Sequence, residues 1–295
     1  MRYQVRESDG RYDFEVTGAS FIGAPRDGTV LFVTRKVGGL LRNLEGHARC
    51  LVFAEEGLEV PEALREQNCF RLCPDAEAAY ADFMLARRAE DSALQAGRKY
   101  TLTPAGFWLG ENVTLGEGAR IEPGCLIDHD VVLGRNARIG FGSRISQAVI
   151  GDDFRCDSHA VVGTDAWYPV GEGNRRLQLP SFGRVRVGNR VVIGCQTVIE
   201  RGVNADTVID DYAQMDAQVC VGHDCEIGHH VRICCGVRLG GLVKVGPETY
   251  IGMGATVKQR LQIGAGAMVG MGSVVVSRVG AGEKVFGSPA RKMML

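Results

Sequence analysis

The chain has 295 residues, enough for two domains, and its 34 basic and 35 acidic residues give a net charge of -1. That balance excludes a strong field for attracting nucleic acid or an anionic membrane. No run of about 18 apolar residues predicts a membrane span. The charged segment 1–10 does not resemble a signal peptide. Ten cysteines without paired spacings are typical of reduced thiols in a cytoplasmic protein.

The first 98 residues are predicted to form a small α/β domain. Segments 30–33 and 50–53 are short apolar runs typical of buried strands. Segments 61–67 and 75 to about 95 are predicted helices, and Asp75 is a suitable cap for the second. Nothing in this domain carries an evident catalytic motif.

The region 106–280 carries a six-residue repeat of apolar side chains. The series is Leu109, Leu115, Ile121, Ile127, Leu133, Ile139, Ile145, then after a one-residue slip Ile150, Cys156, Val162, then Val187, Ile193, Ile199, and then every sixth residue from Ile209 to Val275. A period of six matches neither an amphipathic helix nor an alternating strand, and it predicts a parallel β-helix. Three hexads form one triangular coil, so residues 18 apart should stack.

Two segments interrupt the repeat. The long insert, 163–186, contains Trp167, Tyr168 and paired arginines, which favour a loop that contacts substrate or another subunit. The short one lies between Ile199 and Ile209, where a tolerated surface excursion is an equal alternative. Residues 281–295 form a tail after the last coil.

The segment 219–241 is the richest in reactive side chains. His223 follows the inward-facing Val221 and is followed directly by Asp224, and Asp216 offers a second carboxylate partner. A carboxylate can hold an imidazole in one tautomer, and an imidazole is suited to accept a proton near neutral pH. The alternative is a solvated surface histidine. No metal is expected, because the neighbouring cysteines and histidines fall on different corners and no C-x-x-C pair is present.

Two further features bear on the binding of a thioester. Gly241 lies 18 residues after His223 and should stack on it, which offers a backbone N–H for an oxyanion; the alternative is a corner glycine. The tail residues Gly287, Ser288, Arg291 and Lys292 combine a turn with two cations that suit phosphate contacts. Solvated terminal charges are the alternative for this pair.

The runs GHDCEIG and VFGSPARKM resemble the left-handed β-helix N-acetyltransferases of nucleotide-linked amino sugars, over about residues 185–295. That resemblance implies a left-handed helix, His223 as general base, Asp224 as its orienting partner and the Gly241 amide at the acetyl carbonyl. It also implies that the 287–292 tail lies along coenzyme A. The family assembles as trimers with sites between neighbouring subunits, which implies a homotrimer here.

A second resemblance covers more of the chain. The N-terminal domain, the hexads, the aromatic insert and IERG…DTVIDDYAQMDAQVCVGHD are similar to UDP-3-O-acylglucosamine N-acyltransferase of lipid A synthesis. This implies an N-terminal uridine site with Phe32 as its aromatic, although Val37 stands where a tyrosine is expected. Ala217 and Cys220 also replace polar residues of that family, and the chain ends at Leu295 without its carrier-protein-binding helices. These departures favour coenzyme A and a different sugar.

The sequence therefore predicts an acyl-coenzyme A-dependent N-acyltransferase, with acetyl as the expected group. Its acceptor is a UDP- or dTDP-linked amino sugar for a bacterial surface glycan such as lipopolysaccharide O-antigen. No permanently bound cofactor is expected, because acyl-coenzyme A acts as a co-substrate. The alternatives are a carrier-protein-dependent hydroxyacyl transferase of lipid A type, an O-acetyltransferase, and a non-catalytic β-helix that binds sugar nucleotides.

Overall fold

A computed structural model describes residues 2–6, 10–171 and 176–292. The chain forms two compact units. The first combines Met1–Gly97 with Trp167–Phe182 and Val203–Ala205, and the second contains Arg98–Ala166, Gly183–Gly202 and Asp206–Leu295. Among the described residues, no helix is both long enough and apolar enough to cross a membrane.

The first unit is a small α/β structure, as the sequence predicted. Its strands are Tyr3–Arg6, Asp13–Val16, Gly18–Ala19, Thr29–Val33, Leu51–Glu55, Cys69–Cys73, Pro169–Val170 and Leu177–Gln178, and its helices are Arg35–Leu44 (3-10), Glu62–Gln67 and Ala76–Gln95. The third to sixth strands form one parallel sheet in chain order, and the other four form two antiparallel pairs. Asp75 caps the long helix by accepting the Ala78 N–H at 2.9 Å.

The second unit is a left-handed parallel β-helix whose coils pass over three flat faces in turn. The first face contains Thr101–Leu102, Trp108–Leu109, Leu126–Ile127, Arg144–Ile145, Val161–Thr164, Val198–Glu200, Cys220–Val221, Arg238–Leu239, Thr256–Val257 and Val274–Val275. The second face contains Thr114–Leu115, Val132–Leu133, Ala148–Ile150, Val185–Val187, Thr207–Ile209, Glu226–Ile227, Lys244–Val245 and Gln262–Ile263. The third face contains Arg120–Ile121, Arg138–Ile139, Arg155–Cys156, Val192–Ile193, Gln214–Met215, Arg232–Ile233, Tyr250–Ile251, Met268–Val269, Lys284–Phe286 and Arg291–Lys292.

The three corners are named by the faces they join. The first corner links the first face to the second, the second corner links the second to the third, and the third corner returns to the first. Most corners contain one residue in the left-handed region of backbone space, which asparagine and aspartate tolerate better than branched side chains. Polar side chains lie at the corners and at the outward positions of the strands, while the hexad residues fill the interior.

The strand register explains both interruptions of the repeat. Residues 18 apart pair along most of the helix, as for Val221 and Leu239. Around the long insert the separation becomes 37, as between Val161 and its partner Val198. Around the short one it becomes 22, as between Ile199 and Val221. The faces therefore continue through each interruption, because both sets of extra residues leave the helix at its first corner.

The interior of the helix is a column of the predicted hexad residues. From Ile127 to Val275 these residues are almost fully buried in one cluster, and the small residues four positions later, such as Ala137 and Thr249, are buried beside them. Each coil then contacts only the coils above and below it, which is the packing expected of a solenoid. This rigid column fixes where each corner residue lies.

Candidate active site

His223 and Asp224 occupy the first corner, where the chain turns from Cys220–Val221 to Glu226–Ile227. Val221 and Cys225 are fully buried on either side of them and anchor the turn to the interior. Asp224 has φ of 56°, a left-handed conformation that aspartate adopts at modest cost. The local sequence thus builds a tight turn with a histidine and an aspartate side chain at its tip.

The two side chains form a hydrogen-bonded pair. His223 Nδ1 lies 2.7 Å from Asp224 Oδ2, and only 11% of the histidine side chain and 1% of the aspartate side chain are exposed. Because an ionised carboxylate only accepts hydrogen bonds, the proton of a neutral ring lies on Nδ1 and Nε2 keeps its lone pair. The Asp224 N–H donates to Thr207 Oγ1 at 2.9 Å, which holds this turn against the preceding coil.

Gly241 lies against Nε2 of this ring, as the 18-residue stacking predicted. A Cβ atom added at Gly241 would be 2.3 Å from His223 Nε2. The amide of Leu242 donates to the His223 carbonyl at 2.8 Å, whereas the Gly241 N–H donates to no residue that the structure describes. A backbone donor is therefore left beside the base, which is the arrangement that an oxyanion requires.

Glu200 contributes a third polar side chain to this corner, and it was not predicted from the sequence. Its Oε2 accepts the His223 N–H at 3.1 Å. Burial raises the pKa of this carboxyl, and the hydrogen bond and charge of His223 oppose that rise. The 18-residue stacking rule does not predict the contact between Glu200 and His223, because the short interruption adds four residues between their coils.

The structure does not bring Asp216 to His223. Asp216 follows Gln214–Met215 and lies at the third corner, where its side chain is exposed and accepts the Ala217 N–H at 2.7 Å. A separation of seven residues carries the chain past one whole face. Asp216 is therefore not a partner of His223 in this structure. Its role in substrate binding remains a prediction.

The predicted coenzyme A-binding tail folds onto the third face, which does not form the first corner. Lys284–Phe286 pairs with Met268–Val269, and Arg291–Lys292 returns antiparallel to it. Lys292 Nζ lies 3.1 Å from Glu283 Oε1. Gly287 and Ser288 form the turn between these two strands. A role for these residues in binding coenzyme A remains a prediction.

The predicted aromatic contacts lie in the first compact unit. Trp167 is 77% exposed, and Tyr168 accepts the Leu179 N–H through its backbone in the hairpin of the insert. Phe32 packs against Tyr80 with ring centroids 5.0 Å apart. Tyr80 from the long helix thus covers part of the ring that was predicted to belong to a uridine site.

A second histidine lies at the first corner, four strands earlier on the first face. His129 Nδ1 accepts the Glu111 N–H at 2.8 Å, so the proton of a neutral His129 ring lies on Nε2. His129 therefore presents a donor where His223 presents a lone pair. Of these two corner histidines, only His223 has the tautomer of a general base.

The described residues contain no group of three or more histidine, cysteine, aspartate or glutamate side chains arranged to hold a metal ion.

An Asp224→Asn variant is expected to lower kcat/KM for acyl transfer by about 100-fold or more. Asparagine keeps the shape and tolerates the positive φ of this turn, but its amide lacks the charge that stabilises a protonated imidazole. The measurement is steady-state kinetics beside a thermal melting curve. A rate close to that of the parent would show that Asp224 does not support the base.

Comparisons with known proteins agree with this fold. A family described as bacterial transferase hexapeptide (six repeats) matches residues 112–147. The UDP-3-O-acylglucosamine N-acyltransferase of Janthinobacterium sp. (strain Marseille) is 37% identical over 120 residues, covering 38% of this chain and 34% of that protein. The enzyme of the same name from Dechloromonas aromatica (strain RCB) is 43% identical over 82 residues, covering 27% and 24% respectively. The chain thus spans between about a quarter and a third of the length of these relatives.

Solved structures cover more of the chain. A UDP-N-acetylglucosamine acyltransferase from Campylobacter jejuni has a TM-score of 0.58 and 25% identity, covering 66% of this chain and 75% of its own. A UDP-N-acetylglucosamine O-acyltransferase from Moraxella catarrhalis RH4 has a TM-score of 0.59 and 22% identity, covering 65% and 74%. The protein is a hexapeptide-repeat β-helix of the kind found in acyltransferases. Its particular resemblance is to the sugar acyltransferases, as the sequence predicted.

Proposed function

We propose that this protein is an acyltransferase that moves an acyl group from a thioester to the amino group of a UDP-linked, glucosamine-type sugar. The observation that carries the proposal is the buried His223–Asp224 pair, whose Nε2 lies against the backbone of Gly241. The printed names of the relatives, which specify acyl transfer to UDP-linked glucosamines, support the same reaction class.

The mechanism follows from the tautomer of His223. The sugar nitrogen attacks the thioester carbonyl, and Nε2 removes a proton from that nitrogen as the C–N bond forms. The Gly241 N–H donates to the developing oxyanion. The tetrahedral intermediate collapses when the C–S bond breaks, and the imidazolium returns its proton to the sulfur. Asp224 stabilises the imidazolium between these two transfers.

Acyl-coenzyme A is the proposed donor, and the tail at 287–292 is its proposed contact. An acyl carrier protein carries the same phosphopantetheine thioester and is the second candidate, in keeping with the resemblance of the chain to the N-acyltransferases of lipid A synthesis. A homotrimer with its sites between subunits is also proposed, together with a role in a bacterial surface glycan. Light scattering coupled to gel filtration measures the oligomeric state.

The testing experiment pairs two donors with several acceptors. Acetyl-coenzyme A and an acylated carrier protein are each incubated with UDP-glucosamine, UDP-3-O-acylglucosamine, UDP-N-acetylglucosamine and a dTDP-linked amino sugar. Release of free thiol and the mass of the sugar product are measured. We expect an amide product from a UDP-linked amino sugar with at least one donor. Binding of sugar nucleotides without thiol release from either donor would instead establish a non-catalytic module.

A further inference from the structure

The first corner contains a carboxylate that the mechanism above does not use. Glu200 ends the strand Val198–Glu200, whose partner on the next coil, Cys220–Val221, leads directly to His223. Adjacent strands are about 4.8 Å apart, so Glu200 and the turn that carries His223, which lie at the first corner on successive coils, are within the span of one sugar ring. Any substrate that presents a nitrogen to His223 also approaches Glu200.

One carboxylate oxygen of Glu200 accepts a hydrogen bond within the protein, and the other can accept one from a ligand. Oε2 accepts the His223 N–H at 3.1 Å. Oε1 accepts no hydrogen bond from a described residue, and it is not sealed from solvent. Asp224, the other carboxylate of the corner, is 1% exposed and already bonded to the imidazole. Glu200 is therefore the acidic group that a ligand can reach beside the base.

We propose that Glu200 receives the amino group of the acceptor sugar as an ammonium ion, and that it thereby selects an amino sugar over a hydroxyl sugar. This inference rests on the proposed function and deepens it by naming the residue that recognises the amino group of the acceptor. A half-buried carboxylate attracts a cation and offers a neutral hydroxyl much less.

A sugar that binds as an ammonium ion has two protons to lose, and this gives Glu200 a proton to accept. A sugar ammonium must lose one proton before its nitrogen can attack, and a second as the C–N bond forms. Glu200 takes the first proton and releases it to water, and His223 takes the second and gives it to the leaving sulfur. The products are one amide, one thiol and one proton. A hydroxyl acceptor has only the second proton to lose and needs His223 alone.

The test compares the binding of UDP-glucosamine and UDP-glucose, which differ by an amino group in place of one hydroxyl. Calorimetry on the full chain measures both dissociation constants at neutral pH. We expect the parent protein to prefer UDP-glucosamine, and Glu200→Gln to reduce that preference by about 10- to 100-fold, the contribution of a charge-assisted hydrogen bond. Equal affinities in the parent protein, or no binding of either sugar, would overturn the proposal.

Two controls separate charge from structure. Glutamine keeps an oxygen that can accept the His223 N–H, so a purely structural Glu200 predicts an unchanged preference in Glu200→Gln. The matched variant Glu248→Gln alters an exposed glutamate at the second corner and should leave the preference intact. Above the pKa of the sugar amine, the preference of the parent protein should also decline. The binding measurement needs no acyl donor. It therefore tests the role of Glu200 even if the protein fails to transfer an acyl group in the activity assay.

Discussion

His223→Ala is expected to lower kcat/KM for acyl transfer by about 100- to 10,000-fold, the usual contribution of a general base. The variant loses the one lone pair that faces Gly241, while the Gly241 N–H and the binding surface remain. A residual rate above the solution reaction is therefore expected, since bringing amine and thioester together supplies part of the acceleration. Steady-state kinetics with the accepted donor and sugar give the comparison.

The interpretation of that loss depends on a folded variant. His223 points away from the apolar column, which is formed by residues such as Val221 and Ile227, so the β-helix should persist. Its far-ultraviolet circular dichroism should match the parent protein. His230→Ala is the matched control, because His230 is an exposed histidine at the second corner. If His223→Ala kept nearly the parent rate while folded, the mechanism would have to be abandoned.

The apolar repeat made most of the β-helix predictable from the sequence. Each inward residue of the hexad, from Ile127 to Val275, is buried where the six-residue phase placed it. The same phase placed Gly241 against His223, because no extra residue lies between those two coils. The repeat predicts which residues stack on each other as long as every coil has the same number of residues.

The same rule failed where the coil length changes. Counting back 18 residues from His223 leads to Ala205, whereas the strand register pairs Ile199 with Val221, so that Glu200 lies opposite the start of the turn and its side chain accepts the backbone N–H of the histidine. The extra residues leave the helix at the corner and rejoin it, and a sequence pattern does not show which of them stay in register. Asp216 illustrates a related error, since nearness along the chain does not mean a shared corner when each hexad turns the chain onto a new face.

In the N-terminal unit, the strands and helices could be predicted from the sequence more fully than the surroundings of the proposed uridine site. Its strands and helices follow from apolar runs and the Asp75 cap. The contact between Phe32 and Tyr80 joins a strand to a helix far along the chain. No local pattern specifies that pairing, so the extent to which Phe32 stays open to a nucleotide base could not be deduced from its own segment.

Gly241→Ala is expected to lower kcat/KM by at least about 100-fold through its effect on His223. The added Cβ would lie 2.3 Å from Nε2 and 2.6 Å from Cε1, which is closer than real atoms approach. The backbone of Gly241 is not in the left-handed region, so alanine itself is compatible with its conformation. The imidazole must therefore move, and either its bond to Asp224 or its access to the substrate is lost.

A double-mutant cycle distinguishes this explanation from general damage to the coil. If Gly241→Ala acts by displacing the imidazole, it should have little further effect on the residual rate once His223 has been replaced by alanine. Gly39→Ala is the control for the substitution itself, because an added Cβ there meets no atom within 4 Å. A full additional loss in the His223→Ala background would show that Gly241 acts independently of the ring. In that case the oxyanion contact of its amide, disturbed by a shift of the corner, becomes the principal contribution of this residue.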